Sequence, residues 1–316
     1  MINEFDYEKL SRQYQEAKPF RHVVIDNFFD AETALKLSAE FPDFNDPKIW
    51  SVYKNPIENK KLTPNWDLFP KDTYRAFSLM NTPEFVEKVK KITDITNLEA
   101  DYGLHGGGWH MTARGGKLNM HKDYSIHPKL GKERRINIII YMTPAWEEEW
   151  GGGLEFWSHD EEKNLPKECV TKLYNKFNRA VLFDTADNSW HGLPTELQCP
   201  EDVYRKSLNI YYVSEARPDS EKHDKALFAP YGDQENDPQI LELIKKRSSS
   251  KTSRRKTNDN FVWSSRTRNR LLLSSEYSFV RISIAFGSSH SGSGRRSSRH
   301  PLAYSEISDI SSKRTE

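Results

Sequence analysis

Three residues of the chain have the types and the order of a metal site. His121 and Asp123 lie two positions apart in a segment that is predicted to be a β-strand, so their side chains should project from one face. One imidazole and one carboxylate are two of the three ligands of the facial triad, which holds Fe(II) and leaves coordination positions open. His191 follows another predicted strand by a short turn and is the candidate for the third ligand.

A cationic anchor follows the third candidate ligand along the chain. Arg205 and Ser207 share one face of a predicted strand. A guanidinium beside a hydroxyl suits a carboxylate, because guanidinium binds carboxylate through two charge-assisted hydrogen bonds. Lys206 is the alternative anchor, but strand alternation places its side chain on the opposite face. The pattern therefore favours Arg205 as the residue that binds a carboxylate ligand.

Each of these residues also has a simpler interpretation. A His-x-Asp pair is often a surface ion pair, and the similar segment His159–Glu161 is expected to be a solvated acidic loop. His191 alone would more often be a packed or capping histidine, and Arg205 could belong to an exposed basic edge. The ordered set, at plausible spacing and on predicted strands, favours a metal site over unrelated residues.

The elements around these residues are mainly short strands. After residue 100, Gly, Pro and Asp turns separate them without long helices in between, which is typical of a β-sandwich or barrel rather than a parallel βαβ sheet. Trp109–Arg114 and Lys117–Asp123 are expected to form a hairpin. On the Ile-rich strand that follows, Asn137, Ile139 and Tyr141 share the face that should line a pocket. The remaining predicted strands are 21–26, 154–157, 178–184 and 206–213.

Helices are predicted at both ends of this strand-rich region. Asp30 can cap a helix over residues 31–41, and Thr82 can cap a second one. Residues 237–246 can form a last short helix. Residues 43–75 have no clear hydrophobic period and are expected to form a long, partly ordered loop.

The composition argues against a membrane protein and a disulfide scaffold. The chain has 316 residues and a mean hydropathy of −0.82. Its longest apolar run falls far short of the about 20 residues that span a bilayer. Two cysteines, Cys169 and Cys199, cannot form a disulfide framework or a Cys-rich zinc module. No signal peptide is visible, so a cytoplasmic location is expected.

A change in charge and composition divides the chain near residue 247. Residues 247–316 carry 14 Lys/Arg against 5 Asp/Glu together with 20 Ser, whereas residues 1–246 are net acidic. The change predicts a folded domain over 1–246 and a basic, mostly disordered tail over 247–316. Such a tail could bind nucleic acid or another acidic partner, because clustered Lys/Arg give salt-dependent phosphate affinity. A solvated extension is the simpler interpretation.

The ordered motifs resemble those of the Fe(II)/2-oxoglutarate-dependent dioxygenases, and most closely the prolyl 4-hydroxylase-like branch. The resemblance covers roughly residues 100–213, and a portion from about residue 18 is also similar to that branch. It rests on His-x-Asp at 121–123, Tyr141 in Ile-Ile-Ile-Tyr-Met-Thr-Pro, Gly-Gly-x-Leu at 151–154, His191 and Arg-x-Ser at 205–207.

This resemblance implies a fold and a set of site residues. The fold is mainly β with flanking helices, with a double-stranded β-helix (jelly roll) as the core and helices before it. His121, Asp123 and His191 become the catalytic iron ligands, and Arg205 binds 2-oxoglutarate with support from Ser207 and Tyr141. Met111 stands where relatives often carry a polar residue near the co-substrate.

The resemblance also implies an activity. Enzymes of this family use Fe(II), 2-oxoglutarate and O2 to hydroxylate a substrate C–H bond, release succinate and CO2, and are commonly supported by ascorbate. The prolyl hydroxylase-like pattern favours a prolyl or other side chain of a protein or peptide as the substrate. Two alternatives stay open: hydroxylation of a small molecule or nucleobase, and a non-catalytic jelly-roll binding module with a nucleic-acid-binding tail.

Overall fold

The computed structural model of the chain describes residues 1–185 and 187–248. The α-helices in these ranges are α1 (Tyr7–Glu16), α2 (Ala31–Ala39), α3 (Lys71–Met80), α4 (Pro83–Thr93) and α5 (Pro238–Ser248). The strands are β1 (His22–Ile25), β2 (Ser51–Asn55), β3 (Glu58–Thr63), β4 (Glu99–Ala100), β5 (Gly108–Thr112), β6 (Lys117–Lys122), β7 (Glu133–Tyr141), β8 (Leu154–Asp160), β9 (Leu165–Leu173), β10 (Ala180–Asp184), β11 (His191–Leu193), β12 (Arg205–Ser214) and β13 (Leu227–Phe228).

The predicted tail falls almost entirely outside the described part of the chain. Residues 247 and 248 end α5, and residues 249–316 lie outside the described ranges. Among the helices of the described ranges, none has the length and apolar character that a membrane span requires. The domain boundary near residue 247 and the cytoplasmic location stay predictions.

One antiparallel sheet provides the framework of the domain. Its strands are hydrogen-bonded in the order β1-β10-β7-β12-β5-β3-β6-β11-β8-β9, and β2, β4 and β13 pair with β3, β12 and β6. Strand β3 pairs with both β5 and β6 and so joins two halves. We call β1, β10, β7, β12 and β5 the anchor half, and β6, β11, β8 and β9 the ligand half.

The two halves pack against each other through apolar side chains. Ile139 and Phe183 of the anchor half belong to one buried cluster with Leu154 and Phe156 of the ligand half. The rings of Phe156 and Phe183 lie 5.2 Å apart between centroids. Two antiparallel layers closed over a shared core form the jelly roll, so the predicted fold class is confirmed.

Strand β7 shows how one segment serves two packing layers. Its even-numbered residues Ile136, Ile138 and Ile140 join the main core, which also contains the buried residues of the helices. Its odd-numbered residues Asn137 and Ile139 line the cavity between the halves. Because successive strand side chains point to opposite faces, this nine-residue strand positions the cavity lining while its back anchors the helices.

The N-terminal helices begin where local capping favours it. The Thr82 hydroxyl accepts a hydrogen bond from Phe85 N at 3.3 Å, which confirms the predicted cap of α4. Helix α1 was not predicted from the sequence; Asp6 caps it, and its buried residues Leu10 and Tyr14 join the main core. Most of the other residues of α1 are charged or polar, so its apolar face is narrow and the segment resembles a polar loop.

The prediction of a long loop over residues 43–75 is wrong. β2 and β3 form a hairpin there, and α3 begins at Lys71 after Pro70. The strands lack a hydrophobic period because polar side chains serve both faces. Glu58 and Lys60 of β3 line the cavity, while Lys61 points away from it and donates to Phe44 O at 2.7 Å.

The predicted hairpin between 109–114 and 117–123 is also wrong. β5 and β6 are both strands, but β3 lies between them and pairs with each. Leu62 of β3 is opposite His110, and Glu58 is opposite Leu118. A long-range strand has therefore replaced the local pairing that the short Gly-containing turn suggests.

Candidate active site

The structure brings His121, Asp123 and His191 together at the end of the ligand half. His121 in β6 and His191 at the start of β11 are directly opposite each other in the ladder, and Asp123 follows β6. One ligand atom from each residue lies within 4.8 Å of the others. Nε2 of His121 is 3.6 Å from Asp123 Oδ1, and Nε2 of His191 is 3.8 Å from Asp123 Oδ2.

Backbone carbonyls orient both imidazoles. Nδ1 of His121 is 3.0 Å from Asn119 O, and Nδ1 of His191 is 2.8 Å from Ser189 O. A carbonyl oxygen can only accept, so each Nδ1 carries a proton and donates it. The Nε2 lone pairs are then left free to bind a metal, which is how ligating histidines are usually held.

The electrostatics of the cluster favour the protonation states of metal ligands. Burial and the neighbouring His121 lower the pKa of His191 to about 4, so that ring is neutral at pH 7. Burial raises the pKa of Asp123, but the nearby imidazoles of His121 and His191 and the positive charge of Arg134 outweigh burial. The pKa of Asp123 therefore lies below its ordinary value, and the carboxylate is ionised.

The three side chains fit an Fe(II) ion. Asp123 Oδ2 is buried and has no hydrogen-bond partner among the described residues, which is costly for a carboxylate oxygen unless a cation satisfies it. Two imidazoles and one carboxylate, brought together by neighbouring strands, form the donor set that suits Fe(II) and leaves positions open.

Arg205 lies across the cavity on the anchor half. It begins β12, its side chain is buried, and its Nε donates to Gly152 O at 3.1 Å. Gly152 has φ +71°, and a Cβ there would lie 2.5 Å from Leu197 Cδ2. The residue whose carbonyl accepts from Arg205 therefore has to be glycine. The rest of the guanidinium is left to bind a ligand in the cavity.

The alternation along β12 is the one that the sequence predicts. Arg205 and Ser207 line the cavity, and the Ser207 hydroxyl donates to Asn209 Oδ1 at 2.8 Å. Lys206 faces the helices instead: its Nζ donates to Ser38 O at 3.3 Å and lies 5.5 Å from the centroid of the Phe41 ring. The carboxylate anchor on this strand is thus available only from the Arg205 face.

Tyr141 lies beside this anchor at the end of β7. It is directly opposite Ser207 in the ladder, and the Arg205 guanidinium carbon is 5.0 Å from the centroid of its ring. Its hydroxyl is buried without a hydrogen-bond partner among the described residues. Burial raises the pKa of Tyr141, so the hydroxyl keeps its proton and can donate it to a carboxylate.

A cavity of about 450 Å³ connects the histidines with Arg205. This volume falls in the range of small-molecule sites. It is lined by His121, Asp123 and His191, by Arg205 and Ser207, and by residues of β3, β5 and β7 that the motifs do not include.

His110 is a cavity residue that the sequence reasoning missed. Met111 is buried in the main core, whereas His110 lines the cavity and is paired with Ser207 across the ladder. The polar residue of β5 that faces the cavity is therefore His110, one residue before Met111. Burial and the charge of Lys60 lower the pKa of His110 to about 3, so the ring is neutral. The polar–apolar alternation of Trp109–Thr112 could have revealed this register.

Arg134 is a second residue that the sequence reasoning missed. Its guanidinium lies between the rings of Tyr124 and Tyr211, at 3.6 and 3.5 Å from their centroids. Its Nη1 is 3.8 Å from Asp123 Oδ2. A buried positive charge thus stands behind the ligand carboxylate. In the sequence, Arg134 sits in a Lys-Glu-Arg-Arg run that is typical of an exposed strand end.

His159 is kept apart from the metal cluster, but the prediction that it is solvated is wrong. His159 and Asp160 belong to β8. The His159 side chain is 10% exposed, and its Nδ1 accepts a hydrogen bond from Trp190 Nε1 at 3.0 Å. The imidazole therefore supports the packing of a buried tryptophan.

Comparisons with known proteins agree with this geometry. Residues 107–213 match the family model of the 2OG-Fe(II) oxygenase superfamily. The prolyl 3-hydroxylase OGFOD1 of Mus musculus is 26% identical over 205 residues, which cover 61% of this chain and 33% of the relative. The chain thus spans a third of the length of that relative.

Solved structures of prolyl hydroxylases are also similar to the chain. A prolyl-4-hydroxylase from Pseudomonas putida has a TM-score of 0.43 at 14% identity and covers 66% of this chain and 99% of its own. A prolyl hydroxylase from Trichoplax adhaerens, solved with a hypoxia inducible factor peptide, has a TM-score of 0.42 at 16% identity and covers 66% and 90%. Through residues 107–213, the chain is thus similar to the 2OG-Fe(II) oxygenase superfamily.

Proposed function

We propose that the protein is an Fe(II)- and 2-oxoglutarate-dependent dioxygenase that hydroxylates a prolyl, or another, side chain of a protein or peptide. One observation carries the proposal. The ligand atoms of His121, Asp123 and His191 converge at a cavity that is also lined by Arg205, whose side chain is otherwise buried. The superfamily match supports Fe(II) and 2-oxoglutarate as the cofactor and co-substrate.

The residues of the chain divide the binding tasks between the two halves. His121, Asp123 and His191 would hold the iron, and Arg205 would bind the C5 carboxylate of 2-oxoglutarate with the hydroxyls of Ser207 and Tyr141. Bound Fe(II) and 2-oxoglutarate supply the oxidation: one atom of O2 enters the substrate C–H bond and the other enters succinate, while CO2 leaves.

Apolar side chains line the part of the cavity between the iron ligands and Arg205 and would limit water there on ligand binding. Ile139, Leu154 and Leu193 line the cavity, and the ring of Phe228 stacks on His121 with centroids 5.3 Å apart. Excluding water strengthens the interaction between Arg205 and a carboxylate, because the local dielectric constant falls. It also protects a reactive oxidant from side reactions.

The substrate class rests on resemblance. The matched mouse relative carries the name prolyl 3-hydroxylase, and the motifs resemble the prolyl 4-hydroxylase-like branch. We infer a prolyl residue of a protein or peptide as the first substrate to test, with ascorbate as the reductant that keeps the iron active. The complete set of ligands argues against a non-catalytic binding module.

A peptide-library turnover assay tests this function. The full-length protein is incubated with Fe(II), 2-oxoglutarate, ascorbate and proline-containing peptides, and products that gain one oxygen atom are sought by mass spectrometry together with succinate. We expect both products in equal amounts from the wild type and neither from Asp123→Ala. Wild-type protein that binds peptides but forms no succinate would contradict the proposal and favour a binding module.

A further inference from the structure

A second group of charged side chains lines the cavity on the side of the β2–β3 hairpin. It consists of Glu58, Lys60, Lys117, Asp224, Lys225 and Arg247. Four of these residues are cationic and two are anionic, so this part of the lining has an excess of positive charge. Bound iron and co-substrate would not remove the excess, because the two positive charges of Fe(II) and the two negative charges of 2-oxoglutarate cancel.

Lys60 is a cation of this group whose ion pair is long. Its Nζ lies 3.8 Å from Glu58 Oε2, which is beyond hydrogen-bond distance, and no hydrogen bond of its ammonium is found within the described part of the chain. Glu58 is instead bound by Arg247, whose Nη2 is 2.5 Å from Glu58 Oε1. Lys60 therefore shares the Glu58 carboxylate with Arg247, which binds the other oxygen at a much shorter distance.

The position of Lys60 makes this imbalance costly. The side chain is only 18% exposed, and strand alternation on β3 directs it into the cavity next to Glu58. An ammonium group that is largely removed from water is destabilising unless an anion pairs with it. Among the described residues the anion that pairs with Lys60 is Glu58, at 3.8 Å, whereas a carboxylate ligand in the cavity could approach to hydrogen-bond distance.

We propose that Lys60 binds a carboxylate of the substrate, so that the preferred substrate is a peptide segment with Asp or Glu beside the modified residue. The inference rests on the proposed function, because it names the substrate class of the same cavity. A peptide fits better than a nucleic acid, since Glu58 and Asp224 interrupt the cations of the lining. A phosphate backbone requires a groove of continuous positive charge.

Peptide binding to the full-length protein tests this assignment. Two fluorescein-labelled octapeptides are compared by anisotropy, one alternating Glu with Pro and the other alternating Gln with Pro, with Fe(II) and 2-oxoglutarate present and O2 excluded. We expect the wild type to bind the Glu peptide at least about tenfold more tightly, which is the effect of one charge-assisted hydrogen bond. Lys60→Met should remove that preference.

Lys61→Met is the matched control. It removes the same charge from the neighbouring position of β3, but the Lys61 ammonium faces away from the cavity, where it donates to Phe44 O. Its preference for the Glu peptide should equal that of the wild type. The basic segment after residue 248 is present in all three proteins, so its attraction for acidic peptides cancels in the comparison.

The outcomes separate this inference from the proposed function. Equal binding of both peptides by the wild type, or a preference in Lys60→Met as large as that in Lys61→Met, would overturn the role of Lys60. Tighter binding of a labelled oligothymidylate that depends on Lys60 would make the ligand a phosphate backbone and also overturn it. A Lys60-dependent preference in a protein that forms no succinate would uphold the inference while the dioxygenase activity fails.

Discussion

Two walls of the same cavity are stabilised in different ways. The metal-binding wall of the ligand half consists of buried histidines that are aligned by strand pairing and held by backbone carbonyls at 2.8–3.0 Å. The hairpin wall, which we define as Glu58 and Lys60 of β3 with Arg247 of α5, depends on side-chain ion pairs instead. The difference indicates that the geometry of the first wall is fixed by the backbone, whereas the geometry of the second depends on side-chain charges.

The largest expected effect is at the metal-binding wall. Substituting His121, Asp123 or His191 by Ala should abolish stoichiometric Fe(II) binding, because each substitution removes one of three ligands and leaves a buried site incomplete. Anaerobic Fe(II) titration measures this. His159→Gln is the control: it lies outside the cluster, keeps an acceptor for Trp190 Nε1, and should bind iron as the wild type does. Undiminished iron binding by Asp123→Ala would refute the assignment.

The next effect concerns the anchor half. Arg205→Ala should raise the apparent KM for 2-oxoglutarate at least about tenfold, since a charged hydrogen-bond partner is worth about 1.5–3 kcal/mol. The dependence of succinate release on 2-oxoglutarate concentration gives the KM. Lys206→Ala should have a much smaller effect, because its ammonium contacts Ser38 O on the opposite face. A larger effect at Lys206 than at Arg205 would contradict the anchor.

The sequence predicts the metal-binding wall better than it predicts the hairpin wall. The His-x-Asp and Arg-x-Ser pairs could be selected because their spacing on a strand is a local property, and His191 because its place in the ordered motifs resembles that of the family. Arg134 and Arg247 could not, because their importance arises from partners far along the chain: Arg247 contacts Glu58 across 189 positions. The insertion of β3 between β5 and β6 is likewise a long-range pairing, and no local pattern of turns or hydrophobicity reports it.

The stability of the hairpin wall should depend on the Arg247–Glu58 ion pair, which joins it to α5 and which we call the clasp. Arg247→Ala should lower the free energy of unfolding by about 1–3 kcal/mol, because the buried Glu58 carboxylate loses a close partner. Urea unfolding measures the change. Lys246→Ala should change it by less than about 0.5 kcal/mol, since the Lys246–Glu242 pair is solvent-exposed. Equal effects at both positions would mean that the clasp contributes nothing specific.

The same clasp decides where the chain can be shortened. A protein that ends after Ser248 keeps Arg247 and should retain succinate formation. A protein that ends after Lys246, at the predicted boundary, loses Arg247 and should be destabilised as Arg247→Ala is. If the protein ending after Ser248 is insoluble or inactive while the full-length protein is active, residues beyond 248 belong to the functional domain.

The smallest effect is expected at an ion pair outside both walls. The hydrogen bond from Arg179 lowers the pKa of Asp26 to about 2, whereas an unfolded Asp titrates near about 3.9. The stabilisation is therefore complete above the unfolded pKa and is lost as the pH falls towards 2. Solvent exposure limits it to less than about 1 kcal/mol.

Asp26→Asn checks this sign. The variant should be slightly less stable than the wild type at pH 7, and the difference in thermal midpoint should shrink progressively as the solution is acidified. A difference that grows on acidification would show that the pKa of Asp26 is raised in the folded protein.

The central claim is that one cavity holds iron on the ligand half and 2-oxoglutarate on the anchor half. Anaerobic equilibrium dialysis with Fe(II) and labelled 2-oxoglutarate tests it directly on wild type, Asp123→Ala and Arg205→Ala. We predict that the wild type retains both, that Asp123→Ala loses iron, and that Arg205→Ala keeps iron but releases 2-oxoglutarate. Retention of iron by Asp123→Ala, or of tightly bound 2-oxoglutarate by Arg205→Ala, would contradict the account.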